Sequence, residues 1–189
     1  MEDMGITNPI FRIESVFGQL QWNGIEKEPE LNDSILTAVA FYIQTLAVPA
    51  RRDVNDPAVM AGKTMFQKIG CGSCHTQMQR TGVNVVFPEM SNQVIFPYTD
   101  MLLHDMGEGL SDHRPEFEAT GSEWRTSPLW GIGLTGIVNG HTNFLHDGRA
   151  RNFTEAILWH QGEAEQSRDR FKQLSKAERA QLMLFLKSL

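Results

Sequence analysis

The chain has 189 residues, 41% hydrophobic and 21% charged, which is room for one globular domain, or one and part of another. A formal net charge of −6 argues against nucleic acid and against an anionic membrane surface, and suits docking to a basic protein. No run approaches the roughly 18 apolar residues of a transmembrane helix, and the opening MEDMGITNPIF lacks the basic and apolar regions of a signal peptide.

The first clear element is LNDSILTAVAFYIQTL, residues 31–46, an amphipathic pattern behind the polar cap Asn32. It aligns without a gap on the C-terminal LSKAERAQLMLFLKSL, residues 174–189. Leu31 matches Leu174, Asn32 the capping Ser175, Val39 Leu182, Tyr42 Phe185, Ile43 Leu186 and Leu46 Leu189. VPARRDVND (48–56), with Pro49 and a cluster of charges, reads as a linker. DPAVMAGKTMFQKIG then opens with Asp56 as cap and Pro57 at the first helical position, a regular helix start.

That helix leads into CGSCH, which holds both cysteines of the chain, Cys71 and Cys74, followed at once by His75. Two cysteines at this spacing can form a redox disulfide, half a zinc site, a pair of inert thiols or a covalent haem attachment. A structural zinc usually takes four N or S ligands, and no second C-x-x-C is present. A thioredoxin-like motif would follow a strand, whereas this one follows a helix. Inert thiols leave His75 unexplained. C-x-x-C-H is the attachment signature of c-type haem: two thioether bonds to the haem edge, and the next imidazole beneath the iron. Gly62 and Phe66 are spaced before Cys71 as in the N-terminal helix of class I cytochromes c, which this segment resembles. The expectation is one covalent haem c on Cys71, Cys74 and His75.

With the haem motif placed, residues 57–189 read as a cytochrome c domain and 48–56 as its linker. Residues 1–47 read as the tail and closing helix of a preceding cytochrome domain, since no haem motif lies among them. Haem c is attached outside the bacterial inner membrane, so the protein is expected to be periplasmic or otherwise exported. The internal match favours a downstream piece of a longer precursor over a chain that has lost its leader.

Residues 76–150 show little periodicity and many turn formers, with VNVVF (83–87) and NQVIF (92–96) as candidate short strands. A stretch this long is usually functional and is expected to wrap the haem. Helices follow at 152–161, in EAEQSRDRFKQL, and at 175–188, where Ser175 and Glu178 form a capping box. The expected fold class is mainly α: a cytochrome c-like helical domain with a long loop-rich insertion, preceded by a helical tail.

PYTDMLLHDMGEGLSD (97–112), GSEWRTSPLWGIGL (121–134) and FLHDGRARNFTEAILWHQGEA (144–164) resemble the C-terminal half of the di-haem thiol oxidoreductase-like cytochromes. These are related to the bacterial di-haem cytochrome c peroxidases and the di-haem enzymes that mature methylamine dehydrogenase. EDMGIT (2–7) and LAVPARRDV (46–54) are similar to that family's interdomain region. The resemblance implies two facing haem domains, of which the C-terminal one relays electrons, and it raises calcium as a second cofactor. It also implies that Arg149, with Arg151, pairs with haem propionates and that His146 and Asp147 orient the distal loop or hydrogen-bond a propionate; a plain Asp147-Gly148 turn with solvated arginines is the alternative.

For the sixth iron ligand the loop methionines Met90, Met101 and Met106 stand out, because core packing explains Met60, Met65 and Met183. Met106 is the choice, since HDMGEG places it before Gly107 and Gly109 in a loop able to approach a porphyrin. His104 is the rival, and an open axial site is the third outcome. Three functions follow: an electron-relay cytochrome domain of an exported di-haem oxidoreductase; a haem peroxidase-type enzyme open at iron, with His104 or His146 as acid–base help; or a subunit docking through residues 1–47 onto a partner that carries the second haem.

Overall fold

The computed structural model describes residues 6–12 and 29–189 and divides into two compact units, Met1–Ala47 and Val48–Leu189. Residues 1–5 and 13–28, which include Met1, Met4 and most of EDMGIT, lie outside the described residues. The described residues hold six α-helices and only short strands, so the protein is mainly α.

In the first unit α1 (Asp33–Thr45) is capped by Asn32, whose side chain accepts from the Ile35 N–H. Just before it the Glu30 carboxylate accepts from the Thr7 N–H at 2.8 Å, and the Thr7 hydroxyl accepts from the Glu30 N–H at 3.0 Å. None of the residues of α1 is buried; Tyr42 and Ile43 are 64% and 61% exposed.

The second unit is built on a crossing of α2 (Pro57–Lys68) with α6 (Lys176–Ser188). Asp56 caps α2 by accepting from Ala58 and Val59, and Pro57 gives up an N–H that has no helical partner at that position. The Ser175–Glu178 capping box starts α6 as its sequence predicts. One face of α2 buries Val59, Gly62 and Phe66; α6 buries Leu182, Phe185 and Leu186. Phe66, Phe185 and Tyr98 meet ring to ring, with centroids 5.2 to 6.1 Å apart. A fully buried ring of this kind contributes roughly 1.5–3 kcal/mol. Gly62 makes the crossing close: a Cβ there would stand 2.6 Å from the Gln181 carbonyl carbon and 2.8 Å from Phe185 Cβ.

Residues 48–56 are pinned to the end of α6, where Arg52 N–H donates to the Ser188 carbonyl at 2.9 Å and Arg51 reaches the Ser188 hydroxyl at 3.2 Å. Beyond α2 the chain forms two short antiparallel ribbons. In the first, β1 (Gln79–Arg80) pairs with β2 (Val94–Ile95). In the second, β3 (Leu103–Asp105) pairs with β4 (Glu123–Arg125), with His104 opposite Trp124. The expected strand at 92–96 is thus present in its middle. The one expected at 83–87 is not, because the Asn84 side chain accepts from the N–H groups of Val86 and Phe87 and turns the chain there. Val83 and Val85 are left 77% and 86% exposed. A short α3 (Thr135–Asn139), stopped by Gly140 at φ 73°, has no counterpart in the sequence reading. Then come α4 (Phe153–Trp159), capped by Asn152, and α5 (Glu165–Gln173).

Candidate haem-attachment site

Cys71 and Cys74 sit on a 3-10 turn, Cys71–Ser73, entered through Gly70 at φ 97° directly after α2. Both are free thiols. Burial pushes the Cys71 thiol up to about 12, and the Cys74 thiol is raised by burial and by the nearby Asp100 and Glu163 carboxylates. Both shifts run opposite to that of an attacking redox thiol.

His75 follows on the same turn, its N–H donating to the Cys71 carbonyl at 2.9 Å. Its Nδ1 lies 3.0 Å from the Tyr98 carbonyl oxygen, which fixes the tautomer: Nδ1–H donates and Nε2 keeps its lone pair. Burial holds the imidazole down to about 4, against an ordinary 6.5, with the Tyr98 carbonyl opposing the shift. The ring is therefore neutral at physiological pH, the form that binds a metal. Phe66 lies beside it with centroids 6.3 Å apart.

Tyr98 holds this arrangement together. It adopts φ 55°, a left-handed conformation that is a real departure for an aromatic residue and costs on the order of 1–3 kcal/mol. Its side chain, 1% exposed, is locked between Phe66 and Phe185. The following residues are stitched to the motif as well: Asp100 N–H donates to the Cys74 carbonyl at 2.9 Å, and buried Thr99 donates to the Thr126 carbonyl at 2.6 Å.

Met106 lies half-buried between β3 and a turn at Glu108–Leu110, with its N–H on the Ser122 carbonyl at 2.9 Å. Gly107, at φ 79°, and Gly109 are pressed by the Gln161 side chain. Gly162 is packed against Asp105 and Gly107, where a Cβ would stand 2.9 Å from the Gly107 nitrogen. The Met106 loop and residues 160–163 therefore form one packed block. His104 is held at both ring nitrogens, Nε2 on Asp100 and Nδ1 on Glu163, each at 2.9 Å. Those carboxylates, Glu163 first, raise its pKa, and neither nitrogen keeps a lone pair for iron in that state.

Arg149 donates to Asp147 at 2.6 Å and to the Gly109 carbonyl, with its guanidinium 4.7 Å over the Trp159 ring. His146 stacks on Trp124 at 3.7 Å, and Trp124 donates to the Leu110 carbonyl at 2.9 Å. The FLHDGR segment thus braces the Met106 loop. Arg151 pairs instead with Glu155 at 2.8 Å.

Two further features escaped the sequence reading. Ligand atoms of Cys74, Asp100 and His104 lie within 4.8 Å of one another. A metal ion there would compete with the carboxylate grip on His104 and consume the Cys74 thiol. His160, the residue that ends α4, has its Nδ1 2.7 Å from the Ala156 carbonyl, and its positive charge would disfavour one on His75. The WHQG sequence at a helix end was the available signal.

A mainly α domain that presents two protonated thiols beside an anchored, neutral imidazole has the donor set of a haem-binding redox protein, and the residues present fit that group. A family model described as "Di-haem oxidoreductase, putative peroxidase" matches residues 1–189, and the chain belongs to that family. The family implies a haem cofactor. No curated protein and no solved structure matches the chain.

Proposed function

We propose that residues 57–189, behind the linker 48–56, form a cytochrome c-type domain that relays electrons within an exported di-haem oxidoreductase. The observation that carries the reading is His75: neutral, aimed by the Tyr98 carbonyl, and one residue beyond two unpaired thiols. Cys71 and Cys74 would hold one haem through thioether bonds and His75 would ligate its iron from one side. The bound group supplies one-electron exchange between ferric and ferrous states. The chain's own part is to keep His75 in one tautomer, to shield the iron's surroundings with Phe66, Tyr98 and Phe185, and to close the site with the braced Met106 loop. Arg149, beside Gly109, would serve that loop and the propionates together.

In the same reading, residues 1–47 belong to a preceding cytochrome domain, and α1 is its closing helix. The support is the sequence match of α1 to α6: both have a polar N-cap at matched positions, yet α6 buries Leu182, Phe185 and Leu186, with Leu189 buried just beyond it, while α1 leaves Val39, Tyr42 and Ile43 exposed, with Leu46 exposed just beyond it. A second haem domain, in the same polypeptide or a partner, would cover that face.

The test is periplasmic expression with a cytochrome c maturation system, then denaturing electrophoresis with haem staining and a reduced pyridine haemochrome spectrum. Covalent haem is expected in the wild type, a one-thioether spectrum in Cys71→Ala or Cys74→Ala, and no covalent haem in the double variant. A wild type matured without covalent haem overturns the proposal. Iron that is high-spin and reacts with peroxide moves the domain from relay to peroxidase.

A further inference from the structure

We propose that His160, rather than Met106, supplies the sixth ligand, so that the iron lies between two histidines. The inference rests on the haem reading above and deepens it.

The two imidazoles are prepared in the same way. His75 has Nδ1 on the Tyr98 carbonyl at 3.0 Å, and His160 has Nδ1 on the Ala156 carbonyl one helical turn back at 2.7 Å. In each case a backbone carbonyl accepts from the Nδ1–H and leaves an Nε2 lone pair in a fixed direction, the usual arrangement of a metal-bound histidine. Both residues are half-buried. They also lie close enough for a charge on His160 to act on His75. His104 acts on His75 too, but both its nitrogens are occupied by carboxylates.

Position reinforces chemistry. His160 caps the end of α4, whose Phe153 and Ile157 pack against the same core as Cys71, so its ring stands at the end of a helix anchored in the core. Gln161 and Gly162 then wedge against Gly107, Gly109 and Asp105. The segment that presents His160 therefore also clamps the Met106 loop, and Met106 becomes a packing residue of the distal side. The consequence is functional, because methionine raises a haem's potential relative to a second imidazole. A two-histidine iron makes this a lower-potential relay than Met106 would.

The experiment uses the matured holoprotein, by absorption and near-infrared magnetic circular dichroism, with His160→Ala, His160→Met and Met106→Ala. The expected wild type is low-spin, lacks the weak far-red methionine–iron band, and shows the near-infrared transition of bis-imidazole haem. Met106→Ala retains that signature. His160→Ala becomes high-spin and returns to low-spin on adding imidazole. His160→Met gains the far-red band and a higher reduction potential, which keeps the test open if the alanine variant fails to fold. A far-red band in the wild type that Met106→Ala abolishes would overturn the proposal, as would a high-spin wild type. A wild type without covalent haem would instead remove the haem reading itself, a failure that the pyridine haemochrome reports separately.

Discussion

Gly62 offers the sharpest test of how the domain is held together. Alanine there adds one carbon at the α2–α6 crossing, 2.6 Å from the Gln181 carbonyl carbon and 2.8 Å from Phe185 Cβ. Carbon atoms normally meet at about 3.5–4.0 Å, so the helices must part by about 1 Å. The obstacles are main chain and a Cβ, which cannot swing aside as a side-chain tip would. Overpacking of this kind costs typically 1–3 kcal/mol, and the upper end applies because the strain falls on two backbones. Alanine's better helix propensity returns about 1 kcal/mol. The net loss is about 2 kcal/mol, large against a total stability of roughly 5–15 kcal/mol. The assay is urea unfolding of the matured protein, where slopes of about 1–3 kcal/mol per molar convert that loss to a midpoint lowered by about 1 M. Gly82→Ala is the control: nothing lies within 4 Å of its Cβ position, so it should be neutral or stabilise by about 0.4–1 kcal/mol through the unfolded chain. Gly62→Ala unfolding at the wild-type midpoint would refute the close crossing.

Two further outcomes follow from the site's electrostatics. His75 titrates near 6.5 when unfolded and at about 4 in the fold, so the unfolded chain binds the proton more readily and acid favours it. Stability is full above about pH 6.5 and falls as pH drops toward 4, by roughly 3 kcal/mol at about 1.4 kcal/mol per unit. Iron on His75, as proposed, would compete with the same proton and add in the same direction; urea midpoints that stay flat from pH 7 to 4 would show that the ring is not held neutral. Glu163→Gln removes the largest cause of the raised His104 pKa, so the His104 NMR titration should move down toward the ordinary histidine value, and no movement would refute the Glu163 contact.

The helices were readable because their start signals are local. Asp56-Pro57 and Ser175 with Glu178 each satisfy N–H groups a few residues away and cap as expected, and Asn152 caps α4 in the same way. The C-x-x-C-H motif was readable for the same reason, since thiols and imidazole share one turn. What could not be read was distant in sequence. The His75 tautomer is set by Tyr98, His104 is held by Glu163, and the Met106 loop is clamped by Gln161 and Gly162. Periodicity misled at 83–87, where alternating valines suggest a strand and one asparagine side chain turns the backbone instead. The His160 ring is anchored through Nδ1 on the Ala156 carbonyl, a contact that only the fold displays.

The sequence match between α1 and α6 shows why a helix can be foreseen without its surroundings. Their caps, Asn32 and Ser175, stand at matched positions, and the helices they open, Asp33–Thr45 and Lys176–Ser188, have the same length. Cap and periodicity therefore decide where each helix begins and which face is apolar. They do not decide what lies against that face. On α6 the apolar face meets α2 at a glycine, and Phe185 becomes fully buried. Tyr42, at the matching position of α1, stays 64% exposed. A complement for α1 would need what α2 provides: a small residue opposite the Ala38–Tyr42 stretch, and an aromatic one turn later to meet Tyr42 as Phe66 meets Phe185. Within this chain those features belong to α2, the helix that leads into the C-x-x-C-H turn.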